Sequence, residues 1–112
     1  MRPTVLVDAE NVRRSAWPNT APHELVERCR SWAEREGVSL VVVFDGRPPE
    51  IGWDDVQGTA AAGADDRIVE LAGGIEGPVW LVTSDRELRA RVGVHADRVI
   101  GGGEFLRRIR ED

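Results

Sequence analysis

Three stretches of this chain are almost unbroken apolar runs rich in valine: TVLVD (4–8), VSLVVVFD (38–45) and PVWLVTSD (78–85). None alternates apolar with polar residues, so none has a face meant for water. Strands read this way when helices cover both sides of a parallel sheet. The run DRVI (97–100) is a shorter fourth candidate, and DDVQ (54–57), the least apolar, a fifth.

The segments between them have helical periodicity. In APHELVERCRSWAEREG (21–37), Leu25, Val26, Cys29, Trp32 and Ala33 fall on one stripe, Pro22 suits a first turn and Gly37 an end. Cys29 is the only cysteine and sits on that stripe, so it reads as a core residue. That excludes a disulfide frame and a cysteine-based zinc site. Ile68, Leu71 and Ala72 mark a helix after Asp66. SDRELRARVG (84–93) starts with Ser84 and Glu87 at capping-box spacing, with Ser84 as the cap, and stops at Gly93. GGGEFLRRIRE (101–111) would bury Phe105, Leu106 and Ile109. Trp32 and Trp80 are assigned to the core. Strand–helix alternation over 112 residues gives one α/β domain, 1–112, with a mostly parallel sheet. The one long irregular stretch is 46–63.

Three strands end in an acid: Asp8, Asp45 and Asp85. In a parallel sheet those ends share one edge, the edge where such folds bind ligands. A helix opening on two consecutive acids, Asp65 and Asp66, starts after an excursion from the same edge. One Asp suits a helix start; a second adds repulsion that capping does not need. Four or five carboxylates meeting there raise one another's pKa unless a cation neutralises them. Oxygen-only donors point to Mg²⁺ or Mn²⁺ rather than Zn²⁺. The net charge is −5, which argues against a broad nucleic-acid coat. All 15 Lys-plus-Arg positions are Arg, which excludes amine chemistry and a P-loop lysine. There is no signal-peptide pattern or apolar run of membrane-spanning length, so a cytoplasmic location is expected.

In order along the chain, VLVDAEN (5–11), VVVFDG (41–46), GADDRIVE (63–70), LVTSDRELR (81–89) and VIGGGEFLRRI (99–109) resemble the motifs of PIN-like ribonucleases. Within them the similarity is to NYN domains, including the YacP-like branch. The resemblance implies a three-layer PIN-like sandwich with a sheet of four to five strands in an order near 3-2-1-4-5. It implies Asp8, Asp65 and/or Asp66, and Asp85 as acids holding one or two Mg²⁺ or Mn²⁺ ions, with Asn11 orienting Asp8 or the phosphate and Ser84 beside the site. The activity implied is metal-dependent hydrolysis of single-stranded RNA, as an endonuclease. Stretch 46–63 lacks the helix pattern that many family members carry there.

Around these acids, Arg13, Arg14, Arg47, Arg67 and Arg86 are close enough in sequence to contact a phosphate backbone, or to pair with neighbouring acids. Trp17 and Trp53 fall in loops on the same edge, suited either to stacking on unpaired bases or to covering the core. Asp45 either joins the site or only ends its strand. The alternative function is a PIN-like module that binds RNA or protein without cutting. A haloacid-dehalogenase-type phosphatase is disfavoured, because Glu10 stands where that pattern wants a second Asp and no Lys is present. A homodimer, an antitoxin or a ribosome could complete the groove, and the sequence does not choose among them.

Overall fold

The computed structural model describes residues 1–50, 55–59 and 63–110. Five strands, β1 (Thr4–Asp8), β2 (Ser39–Phe44), β3 (Val56–Gly58), β4 (Val79–Val82) and β5 (Arg98–Ile100), form one sheet. Its order is β3-β2-β1-β4-β5 and every neighbouring pair is parallel. The expected order is therefore observed, and "mostly parallel" becomes wholly parallel. The fifth strand is present, shifted toward Val56–Gly58.

Alternate residues of β1 serve two cores. Val5 and Val7 face α1 (Ala9–Arg13), α2 (Pro22–Glu36) and α5 (Gly102–Arg110), packing with Leu25, Cys29, Trp32, Phe105 and Ile109. Leu6 faces α3 (Ala64–Gly74) and α4 (Arg86–Val92), packing with Ile68, Ala72, Leu81 and Leu88. This double burial explains why the strands show no alternation. Trp32 and Phe105 meet edge to face with centroids 4.9 Å apart, joining α2 to α5. Cys29 is fully buried, and burial in this apolar layer raises its thiol pKa. Trp80 is only half-buried: it packs beside the first core and carries the Arg98 guanidinium 4.7 Å from its ring centre.

The helix ends follow local chemistry in two places and depart from it in two. Pro22 opens α2, and Gly37, at φ 68°, closes it in the left-handed conformation that glycine tolerates. Ser84 is not the cap of α4. That role belongs to Asp85, whose Oδ1 accepts from the backbone N–H of Glu87 (2.9 Å) and Leu88 (3.2 Å). Nor does Asp65 or Asp66 cap α3, since both lie inside its first turn. Asp45 Oδ1 instead accepts from the N–H of Ala64 at 2.9 Å. Among the described residues no helix is long and apolar enough to cross a membrane.

Candidate active site

The C-terminal edge of the sheet carries a cleft of about 380 Å³, and Asp8, Asp45, Asp65 and Asp85 all line it. Asp8 is the last residue of β1 and only 6% exposed. Its Oδ2 accepts from the Thr83 hydroxyl at 2.8 Å. The Thr83 Oγ in turn accepts from the N–H of Asp85 at 3.1 Å. One buried hydroxyl thus fixes the spacing of two acids on neighbouring strand ends. Sequence reading passed over Thr83 because threonine in an apolar strand end carries no charge to notice.

Burial is the largest cause that lifts the Asp8 carboxyl, from an ordinary 3.8 up to about 6. The Thr83 hydrogen bond and an N–H from Asn11 oppose the rise, while Asp65 and Asp45 add to it. Asp65 is also raised, by desolvation first and then by Asp85 and Asp45. Acids that perturb each other in this way share one field. Three of the four are also built into the fold: Oδ2 of Asp8, Oδ1 of Asp45 and Oδ1 of Asp85 are each committed to a protein donor.

Asp66 is not brought into the cleft. It is largely exposed and pairs with Arg91 at 2.7 Å, across α3 and α4. Of the alternatives at the doubled aspartate, Asp65 faces the acids and Asp66 faces outward. A first helical turn places consecutive residues about 100° apart, so neighbours in sequence are not neighbours in space.

Asn11 and Ser84 both line the cleft, joined by a bond from the Ser84 N–H to Asn11 Oδ1 of 2.9 Å. Ser84 Oγ accepts from the N–H of Gly102 at 2.8 Å. This ties the ends of β1, β4 and β5 together. A methyl group on Gly102 would run into Asn11 Oδ1 and lie 2.8 Å from Ser15 Oγ. Gly102→Ala is therefore expected to destabilise by about 1–3 kcal/mol through overpacking. Gly103→Ala, which would meet only the Arg107 guanidinium at 3.8 Å, should leave the Tm unchanged or higher. Thermal unfolding of the two variants checks the contrast.

The arginines sort differently from their sequence positions. Arg14 lines the cleft and its side chain is 69% exposed, 3.6 Å from Glu10. Arg13 turns inward instead, to Glu10 and to the carbonyl of Thr20 at 2.8 Å. Arg67 is held by Gln57 (2.9 Å) and Glu70 (2.7 Å), and Arg47 by Glu50 at 3.4 Å. Arg86 is exposed at the start of α4 and does not line the cleft. Glu10 and Ser15, not assigned to the site from sequence, are in the lining. Trp17 is 88% exposed. Trp53 lies outside the described residues.

The donor chemistry fits Mg²⁺ or Mn²⁺: carboxylates, an amide and a hydroxyl, with no His or Cys in the lining. Among the described residues, no three acidic, His or Cys side chains stand close enough to form a ready-made cage. The fit is thus to an ion that keeps several waters and takes one or two carboxylates directly, which is how Mg²⁺ is commonly held.

A wholly parallel five-stranded sheet in this order, with helices on both faces and acids gathered at the C-terminal edge, is a doubly covered α/β sandwich. More particularly, the fold is that of Rae1 (YacP) from Bacillus subtilis. A crystal structure of a point variant of that protein superposes with a TM-score of 0.75 at 23% identity, covering 98% of this chain and 76% of the other. A second crystal structure of Rae1 (YacP) gives 0.68 at 23% identity, over 96% and 73%. At that identity the likeness is one of fold. No family model matches the sequence. No curated protein matches it either.

Proposed function

We propose that the chain is a metal-dependent ribonuclease that cuts single-stranded RNA internally. The observation that carries this reading is the sharing of one cleft by Asp8, Asp45, Asp65 and Asp85, with Asp8 and Asp65 pushed toward the neutral form. Burial and repulsion of this kind weaken a fold, so the cluster makes sense where a cation and a polyanionic substrate offset it. The fold shared with Rae1 (YacP) and the motifs it follows support the same class of chemistry.

Asp8, Asp65 and Asp85 are the residues that would hold Mg²⁺ or Mn²⁺, with Asp45 beside them. When bound, such an ion supplies acidification of the attacking water and charge neutralisation at the leaving oxygen. The Thr83 hydroxyl keeps Asp8 and Asp85 in register. Arg14 at the rim offers a guanidinium to the backbone phosphate. Asn11, its carbonyl fixed by Ser84, presents its amide in a set orientation toward the cleft. Trp17, exposed on the loop after α1, gives an unpaired base a surface to stack on.

The test is cleavage of a labelled oligoribonucleotide, unpaired and in duplex, with Mn²⁺ or with EDTA. Unpaired RNA should be cut only with Mn²⁺, and the duplex should survive, because an open cleft beside the exposed Trp17 suits a flexible strand. Equal rates on both substrates would remove the role given to Trp17. The absence of a ready-made cage among the described residues favours one second reading, an RNA-binding module that does not cut. Tight binding with no Mn²⁺-dependent products would establish that reading instead.

A further inference from the structure

The charge on this acidic chain is unevenly placed. Helix α1 with Arg14, together with α5, carries Arg13, Arg14, Arg107, Arg108 and Arg110 against only Glu10 and Glu104. Helices α3 and α4 carry four acids and four arginines, and Arg67–Glu70 and Arg91–Asp66 are paired. On the basic side, Arg13 is used by Glu10 and Arg108 by Glu104 at 2.7 Å. Among the described residues no carboxylate lies within ion-pair distance of Arg107 or Arg110. Arg110 only reaches the Thr20 hydroxyl, at 3.4 Å.

The geometry links this excess to the cleft. Spacings of four and three put Gly103, Arg107 and Arg110 in one row of α5. The Arg107 guanidinium folds back to 3.8 Å from where a Cβ of Gly103 would be. Gly103 follows Gly102, which abuts Asn11 and Ser15 of the cleft wall. At the other end Arg110 touches Thr20, whose backbone also binds Arg13. The loop between Arg14 and Thr20, with the exposed Trp17, therefore lies beside this row.

Resting on the ribonuclease reading, we propose that the α1–α5 face is the track for the RNA strand on one side of the cut phosphate. Arg14 meets the backbone at the cleft, Arg107 takes a phosphate farther along α5, and Trp17 stacks a base between them. The α3–α4 side, where charges cancel, is not the track.

The experiment uses the full chain in EDTA, where nothing is cut, and reads anisotropy of a labelled oligouridine across a salt series. Arg107→Glu should weaken binding about tenfold at low salt and lower the slope of log K against log salt by about 0.7. Arg89→Glu makes the same change in net charge on an exposed residue of α4. It should change affinity by less than about twofold and leave the slope alone. Equal losses in both variants would reduce the effect to net charge and overturn the track, as would parental affinity in Arg107→Glu. Failure of the underlying reading looks different. A parent that binds with an Arg107-dependent slope but cuts nothing with Mn²⁺ keeps the track and loses the nuclease. A parent that cuts while Arg107→Glu binds normally keeps the nuclease and loses the track.

Discussion

Asp8→Asn is expected to abolish cleavage and, in EDTA at pH 8, to make the protein more stable. The loss of activity should be roughly a thousandfold or more, the several kcal/mol that a metal site contributes to such a reaction. The gain in stability follows from the Asp8 carboxyl standing at about 6 when folded against 3.8 ordinarily. A carboxyl raised on folding binds its proton more tightly in the native state, so the native state gains from protonation. That advantage is fully present below about pH 4 and disappears as pH rises through 6. At pH 8 the charged, buried Asp8 costs about 3 kcal/mol relative to a neutral group there. Asparagine is neutral at every pH and keeps an oxygen for the Thr83 hydroxyl. The variant should therefore exceed the parent in Tm at pH 8 and approach it at pH 4. Mn²⁺ should reverse the order at pH 8 by stabilising the parent alone, since that shift is the free energy of the bound ion. A parent and variant that respond equally to Mn²⁺ would take Asp8 out of the site.

The doubled aspartate gives the second large effect. Asp65→Asn should reduce cleavage by at least about a hundredfold, whereas Asp66→Asn should leave it within about twofold. Both variants keep a side chain tolerated in a first helical turn, and the Asp66–Arg91 pair is on the surface and screened by water. In Asp66→Asn the Mn²⁺-induced rise in Tm should match the parent's. In Asp65→Asn it should shrink. The reverse pattern, with Asp66 sensitive and Asp65 tolerant, would mean that α3 turns its other face to the substrate.

Buried β-structure was the most readable part of this chain, because helices cover both faces and the apolar runs are therefore continuous. The motif order carried the sheet order as well. Capping was less readable. Ser84 and Asp85 are adjacent, and both satisfy the chemistry of a helix start. What decides between them is that Ser84 Oγ is engaged by Gly102, a partner 18 residues away that local pattern cannot reveal. Asp45 was undecidable for the same reason, since the N–H it accepts belongs to Ala64, across the irregular stretch. The arginines were the least readable. Nearness in sequence to an acid put Arg13, Arg47, Arg67 and Arg86 on the same footing as Arg14. Exposure and a place beside the cleft instead single out Arg14, and Arg107 from the far end of the chain.

The bonds from Ser84 to Asn11 and to Gly102 also set when the site can exist. Asn11 is made well before Gly102, with most of the described chain between them, and Ser84 is held by both. A growing polypeptide that has released β1 through β4 from the ribosome already has its acids and the bond from Ser84 to Asn11, yet Ser84 Oγ still lacks the brace that Gly102 supplies. The brace forms only when α5 emerges and docks on α1. A nascent chain is thus without a finished cleft until α5 has emerged, and a messenger truncated before Gly102 encodes the carboxylates without the full architecture that aims them.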